Sequence, residues 1–342
     1  MPYALLGASG LAVSRLALGA MTFTGGNHSN PSINKVDLSL ADRLVSLAIE
    51  GGVNLFDTAD VYDAGQSEEV LGAVLKPRRH DVVIGTKCGI RSGATLTQSG
   101  LSARHIHASI DASLKRLGTD YVDIFIAHRS DPLTPLEETL AALDAVVRAG
   151  KVRYLGYSNW PSWRAATAVE MQRTNGWARF THGQMHYSPL IRDVERDTIP
   201  MMAHHDLGLT VWSPLAWGFL TGRVTPENLG SQEHRFRDQI FEFDLAKGFG
   251  LVDVLRGIAD AHGVTPSQVA LAWLLAKPAV SSVVLGTTKL EQLGHNLAAL
   301  KVKLSDDDLA VIDAAMPAVP AYPDWFEPKF ADGPLLKALG RA

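Results

Sequence analysis

VDIFIAHRSDPLTPLEETLAALDAVVRAGKVRYLGYSN, residues 122–159, reads as strand, helix, glycine stop, basic turn and strand in direct succession. VDIFIAH is short and almost wholly apolar, the pattern of a strand buried on both faces in a parallel sheet. EETLAALDAVVRAG is built largely from good helix formers and halts at Gly150, as a helix with a glycine stop does. A strand, a helix and a second strand in this order form a parallel unit.

The same alternation continues on both sides. Apolar runs at about 14–19, 53–57, 82–87, 122–128, 152–158, 180–185, 209–213 and 282–286 are separated by helical segments. In DRLVSLAIEGG, Leu44, Val45, Ala48 and Ile49 form one stripe that ends at Gly51-Gly52, as in an amphipathic helix with a glycine cap. Eight strands with intervening helices indicate an α/β fold of the closed (β/α)8 type, a TIM barrel. The opening YALLGASGLAVSRLAL predicts a hairpin around Gly7-Ala-Ser-Gly10, outside the repeat. Ser305-Asp306-Asp307 predicts the cap and first turn of a last helix.

Two stretches break the alternation. Residues 222–248, with Pro226, Gly230 and dense charge, read as a long loop over the barrel mouth. The tail from Met316 carries Pro317, Pro320, Pro323, Pro328 and Pro334 and is not expected to continue a helix. Its Trp325 and Phe326 predict that it packs back on the barrel. With no composition break to mark a linker, residues 1–342 are expected to form a single domain, with a core over about 11–316 and a tail over 317–342.

The chain of 342 residues holds 32 basic and 36 acidic residues, a net charge of -4. This balance lacks the electrostatic footprint of a nucleic-acid binder. The single cysteine, Cys88, permits no internal disulfide, which suits a reducing compartment. No segment approaches the ~20 apolar residues of a membrane span, and the N-terminus does not resemble a signal peptide. The expectation is a soluble cytoplasmic protein, with no nucleic-acid or membrane partner.

Four of the apolar runs end in residues fit for proton or hydride chemistry: VNLFD in Asp57, VVIGTK in Lys87, VDIFIAH in His128 and YLGYSN in Ser158-Asn159. In a parallel barrel such strand exits converge on one mouth, where catalytic groups sit. Tyr62 follows Asp57 by five residues. A phenol with its ordinary pKa near ~10 donates protons poorly at neutrality, but an adjacent ammonium stabilises its phenolate. Tyr62 is then a usable general acid, with Lys87 as the cation and Asp57 as the carboxylate that aims it. The same spacing also fits a buried structural ion pair beside a surface tyrosine, and His128 also fits a hydrogen-bonded core histidine.

Other chemistries find little purchase. The chain has no G-x-G-x-x-G, which argues against a doubly wound dinucleotide fold. Ser158 in GYSNW lacks the second glycine of a nucleophile elbow. His204 and His205 are adjacent rather than four apart, so no metal site is expected. Cys88 reads as a small buried residue.

Several blocks carry a family resemblance: GVNLFDTADVYDAGQSEEVLG (52–72), TK (86–87), LKRLGTDYVDIFIAHRSDPLTPLEETLAAL (114–143) and GKVRYLGYSNW (150–160). It continues through QMHYSPLIRDVE, WSPLAWGFLTG, VALAWLLAKPAV and LGTTKLEQLGHNL, so that residues 11–316 closely resemble the aldo-keto reductases. That resemblance implies a barrel that reduces aldehydes and ketones with NADPH through a catalytic tetrad at Asp57, Tyr62, Lys87 and His128. Tyr62 would protonate the oxygen, Lys87 lower its pKa, Asp57 orient Lys87 and His128 position the carbonyl.

It further implies that Ser158, Asn159 and Gln184 hold the nicotinamide carboxamide and that Trp212, a tyrosine in many members, stacks on the ring. Ser213, Pro214, Leu215 and Gly218 match the stretch along the pyrophosphate. Gly286, Thr287, Thr288, Lys289, Gln292 and Asn296 match the adenosine-phosphate site, and Gly19, Ala20 and Met21 join Asp57 in completing the cofactor set. Gln292 and His295 stand where many members carry Arg and Glu. Lys289 is the one full positive charge of that segment, so the implied cofactor is NADP(H), with NAD(H) the alternative. Met21, Phe23, Trp160 and Trp217, together with Trp325 or Phe326, are expected to line the mouth. They would favour aromatic or alicyclic small molecules, carbonyl compounds or, in reverse, alcohols. The alternative is a nucleotide-binding regulatory barrel subunit with little turnover.

Overall fold

A computed structural model describes residues 1–26, 33, 35–229, 231, 240 and 242–340. Two short strands, β1 (Tyr3–Leu5) and β2 (Ala12–Ser14), pair antiparallel as the expected hairpin. The eight strands that follow are β3 (Leu16–Gly19), β4 (Leu55–Asp57), β5 (Val83–Cys88), β6 (Val122–Ala127), β7 (Val152–Ser158), β8 (Phe180–His186), β9 (Gly208–Trp212) and β10 (Val280–Gly286). They pair in parallel in the closed order β10-β3-β4-β5-β6-β7-β8-β9, the geometry of a (β/α)8 barrel.

Helices connect successive strands on the outside: α1 (Leu38–Glu50), α2 (Gln66–Leu75), α3 (Ala103–Leu117), α4 (Leu136–Arg148), α5 (Ser162–Asn175) and α6 (Thr198–His204). Between β9 and β10 come α7 (Leu245–His262) and α8 (Pro266–Ala276). After β10 the chain forms α9 (Leu290–Leu297) and α10 (Asp306–Ala315). Leu44, Val45 and Ala48 of α1 are buried against the sheet, whereas Ile49 is half-buried. Ser305 caps α10 and accepts from the Asp308 backbone N–H, whose carboxylate reaches back to Ser305, as the acidic run predicts.

Inward-facing Ala17, Leu55, Val83, Ile124, Ile126 and Val284 fill the barrel, joined by Leu6 and Val13 from the hairpin segment. The hairpin closes the end at which the strands begin: Asn54 Nδ2 donates to the Ala12 carbonyl at 3.0 Å and the Ala8 N–H to that of Asp206 at 2.8 Å. A cavity lies at the opposite end. A second, larger apolar layer lies between strands and helices and removes most of the remaining core surface from water.

The registers bring the strand exits level. Asp57 pairs with Gly19 and Gly85, Ser158 with Gln184, His186 with Trp212 and Gly286 with Gly19. In the expected 222–248 loop, residues 230, 232–239 and 241 lie outside the described residues, and 245–248 already belong to α7. The tail departs from expectation. It contains a one-and-a-half-turn helix, α11 (Gly333–Ala338), because Pro334 falls in the first turn, where proline is tolerated. Trp325 and Phe326 stack on Tyr322 and on each other rather than entering the barrel wall, and both remain exposed. No described helix is long and apolar enough to cross a membrane.

Candidate active site

Lys87 lies near the end of β5 with its side chain fully buried. An ammonium has three protons to donate, and here three acceptors meet it: Asp57 Oδ1 at 2.5 Å, the Thr58 carbonyl at 2.7 Å and Tyr62 Oη at 3.3 Å. Burial by itself pulls the ammonium's pKa down, but Asp57 and Tyr62 outweigh it and hold Lys87 above its ordinary value. The phenol proton of Tyr62 is not used on Lys87, since that bond is donated by the ammonium. The ring of His128 meets that of Tyr62 edge-on, with centroids 5.8 Å apart. Burial, with the Lys87 and Arg129 cations nearby, pushes His128 well below its ordinary pKa, so the imidazole is neutral at pH 7. The sequence expected Asp57, Tyr62, Lys87 and His128 at one mouth, and the structure brings these four side chains together.

The turn that carries Tyr62 is strained. Asp63 and Ala64 adopt left-handed φ of 46° and 54°, followed by Gly65 at 95°; non-glycine residues there cost about 1–3 kcal/mol each. A buried polar network holds the turn from beneath. The Asp60 N–H donates to the Lys87 carbonyl at 3.1 Å, and Ser109 of α3 donates to Asp60 Oδ2 at 2.7 Å. Glu68 accepts from Thr86 at 2.5 Å and from Arg116 at 2.6 Å. A Cβ at Gly65 would meet the Arg116 side chain at 2.7 Å, so glycine serves that position through both its φ and its bulk. No motif in the sequence marks Asp60, Glu68 or Ser109 as buried, because their partners come from other elements.

Burial pushes the Asp60 carboxyl up to about 7, against the opposing bond from Ser109. The folded pKa exceeds the unfolded value of 3.8, so the folded state binds this proton more tightly. Its contribution to stability is therefore fully present below pH 3.8 and lost progressively up to about pH 7. In Asp60→Asn that dependence should vanish. Denaturant titrations of both proteins at pH 4 to 8 will then show a difference in stability that changes across this window and is flat above it; a constant difference would assign Asp60 an unshifted carboxyl.

A cavity of about 1060 Å³ opens at the strand exits. Asp57, Tyr62, His128, Ser158, Asn159 and Gln184 line its deep end, beside Gly19 and Met21. Ser158 donates to the Gln184 carbonyl at 2.7 Å, Asn159 Nδ2 to Ser158 Oγ at 2.9 Å, and Trp212 Nε1 to Asn159 Oδ1 at 3.1 Å. The Trp212 indole also stacks on His186 at 4.7 Å, which fixes its plane. Ser213, Pro214, Leu215, Trp217 and Gly218 continue the wall. It ends at Gly286, Thr287, Thr288, Lys289, Gln292 and Asn296, around the start of α9. His295 lines the cavity too, as do Lys35 and Arg223, two cations that no sequence motif singles out.

Three expected lining residues belong elsewhere. Ala20 is buried, and its N–H is committed to the Asp57 carbonyl at 2.8 Å. Phe23 is a fully buried core residue, and Trp160 is 2% exposed and packs on Tyr157 and Phe180. Each follows a residue at the mouth closely in sequence, but the backbone turns its side chain away. Trp325 and Phe326 do not line the cavity either. Ile90, by contrast, lines it without having been expected.

The lining suits a dinucleotide of the NAD(P)(H) type. Amide and hydroxyl groups at the deep end match a carboxamide, an indole face matches an aromatic ring, and Lys35, Arg223 and Lys289 match phosphates. A sequence profile of the Aldo/keto reductase family matches residues 15–317. A Schizosaccharomyces pombe protein named as a voltage-gated potassium channel subunit beta is 36% identical over 334 residues, 94% of each chain. An Arabidopsis thaliana protein so named is 37% identical over 324 residues, 88% of this chain and 92% of that one. A Glycine max protein named as an aldo-keto reductase is 33% identical over 315 residues, 91% of this chain and 88% of that one.

Proposed function

The chain belongs to the aldo/keto reductase family of oxidoreductases, and from that premise we propose that it reduces aldehydes or ketones with NADP(H), Tyr62 being the proton donor. One observation carries this reading: a phenol, a buried ammonium and a carboxylate in hydrogen-bonded sequence, Tyr62–Lys87–Asp57, at the wall of a cavity that suits a dinucleotide. When bound, the reduced nicotinamide supplies a hydride. The chain's own part is to deliver the matching proton to the carbonyl oxygen from Tyr62 Oη. An ammonium at 3.3 Å stabilises the phenolate left behind. Asp57 keeps that ammonium charged and aimed, and neutral His128 offers a hydrogen bond to the carbonyl without adding a second cation.

Ser158, Asn159 and Gln184 would hold the carboxamide, and Trp212 the ring face. Lys289, Lys35 and Arg223 favour NADP(H) over NAD(H) by charge. Met21, Trp217 and Ile90 give the mouth an apolar side suited to aromatic or alicyclic carbonyl compounds. The protein is read as one cytoplasmic domain.

A second reading rests on the relatives named as potassium channel beta subunits: a barrel that binds the nucleotide and acts through a partner, with little turnover. NADPH consumption measured across aryl aldehydes, diketones, keto sugars and keto steroids separates the two. Turnover of at least one class is expected. If none is consumed while NADPH still binds, the second reading holds.

A further inference from the structure

Both oxygens of Asp57 are engaged. Oδ1 accepts from Lys87 Nζ at 2.5 Å, and Oδ2 accepts from Gln184 Nε2 at 2.8 Å. Gln184 comes from β8, on the far side of the barrel mouth from β4 and β5, and its side chain is 4% exposed. Its backbone carbonyl in turn accepts from Ser158, which accepts from Asn159, which accepts from Trp212. A continuous run of hydrogen bonds therefore joins the wall that suits a nicotinamide to the phenol of Tyr62. Gln184 is the link between its two halves.

We propose that Gln184 is a positioning residue of the proton-donating group: its amide fixes the Asp57 carboxylate, and through it Lys87 and Tyr62, in addition to any contact with the cofactor. This rests on the reading of Tyr62 as the acid. The chemistry of the amide makes the assignment specific. A carboxylate only accepts, so the Gln184 group facing Asp57 is the NH₂, and the carbonyl oxygen remains an acceptor. The Asp57 carboxylate is thus held on both sides, and a hydrogen bond to a charged group is stronger than one between neutral groups. Other titratable groups near this point are His128, at the cavity wall, and His182, two residues earlier on β8, which burial holds near a pKa of about 3 and therefore neutral.

Two substitutions test the proposal. Gln184→Met removes the donor, and Gln184→Glu replaces it with a group that donates only while protonated. Below its own pKa the introduced acid can serve Asp57 as the amide does; above it, two carboxylates face each other and disfavour the Tyr62 phenolate. The activity of Gln184→Glu at saturating NADPH should therefore approach wild type at the acid end of the profile. It should fall away as pH rises through the pKa of the introduced acid, below the pH at which wild type loses the Tyr62 proton. Gln184→Met should be at least about 10-fold slower at every pH, the rate equivalent of 1.4 kcal/mol.

A second readout needs neither cofactor nor turnover. The phenolate absorbance of Tyr62, taken as the difference between each protein and its Tyr62→Phe counterpart, should titrate at least one pH unit higher in Gln184→Glu than in wild type. If both variants keep the wild-type Tyr62 titration and pH profile and merely bind NADPH more weakly, Gln184 is a cofactor contact alone and the proposal fails. If wild type turns over no carbonyl, the functional reading fails, yet the phenolate titration still decides the role of Gln184.

Discussion

Tyr62→Phe will lower the rate of carbonyl reduction by about 10²–10⁴-fold, the usual contribution of a positioned general acid, and will leave NADPH affinity within about twofold of wild type. The substitution deletes one oxygen, whose partner shown here is the Lys87 ammonium at 3.3 Å. The ring remains, with its edge-on contact to His128 and the Lys87 ammonium 4.8 Å from its centroid. Lys87 keeps Asp57 and the Thr58 carbonyl, so the buried charge stays compensated and the fold should survive. Steady-state reduction of the best carbonyl substrate and fluorescence titration with NADPH measure the two quantities separately. Undiminished turnover would remove Tyr62 from the mechanism; a parallel collapse of NADPH binding would mean that the hydroxyl supports the cavity rather than the chemistry.

Lys87→Met should have an effect as large on rate and a greater one on stability. Removing one partner of a buried ion pair leaves the other uncompensated, at a cost of about 3–5 kcal/mol, and Asp57 is only 6% exposed. The double variant Asp57→Asn with Lys87→Met takes away the stranded charge and should recover most of the lost stability in a denaturant titration. It should recover none of the activity, because the phenol still lacks its ammonium. Recovery of both would reduce the pair to a structural one, the plain alternative that the spacing of Asp57 and Lys87 leaves open.

The barrel was legible because its evidence is local and repeated. Each apolar run and each amphipathic stripe can be read within a dozen residues, and errors in one element do not erase the period. The tetrad was legible for a related reason: Asp57, Lys87 and His128 all stand at or next to the ends of strand runs, and parallel strands in register deliver their ends to one rim. Phe23 and Trp160 were misread because proximity in sequence to the mouth does not tell which way a loop side chain turns. Both serve the packing behind the strands instead. No helix runs on into the tail, since α10 stops at Ala315, but its prolines still permit a separate short helix, α11, with Pro334 in the first turn.

What the sequence determined by itself, then, is the alternation of strand and helix, the closed sheet it implies and the residue types at the strand exits, since these follow from hydrophobic period and short-range stops. What only the tertiary structure decided is which polar groups share protons. Gln184 reaches Asp57 across 127 residues of chain, and Ser109 reaches Asp60 across 49. Such pairings depend on barrel closure and side-chain direction, distances of a few ångströms that no spacing along the chain encodes.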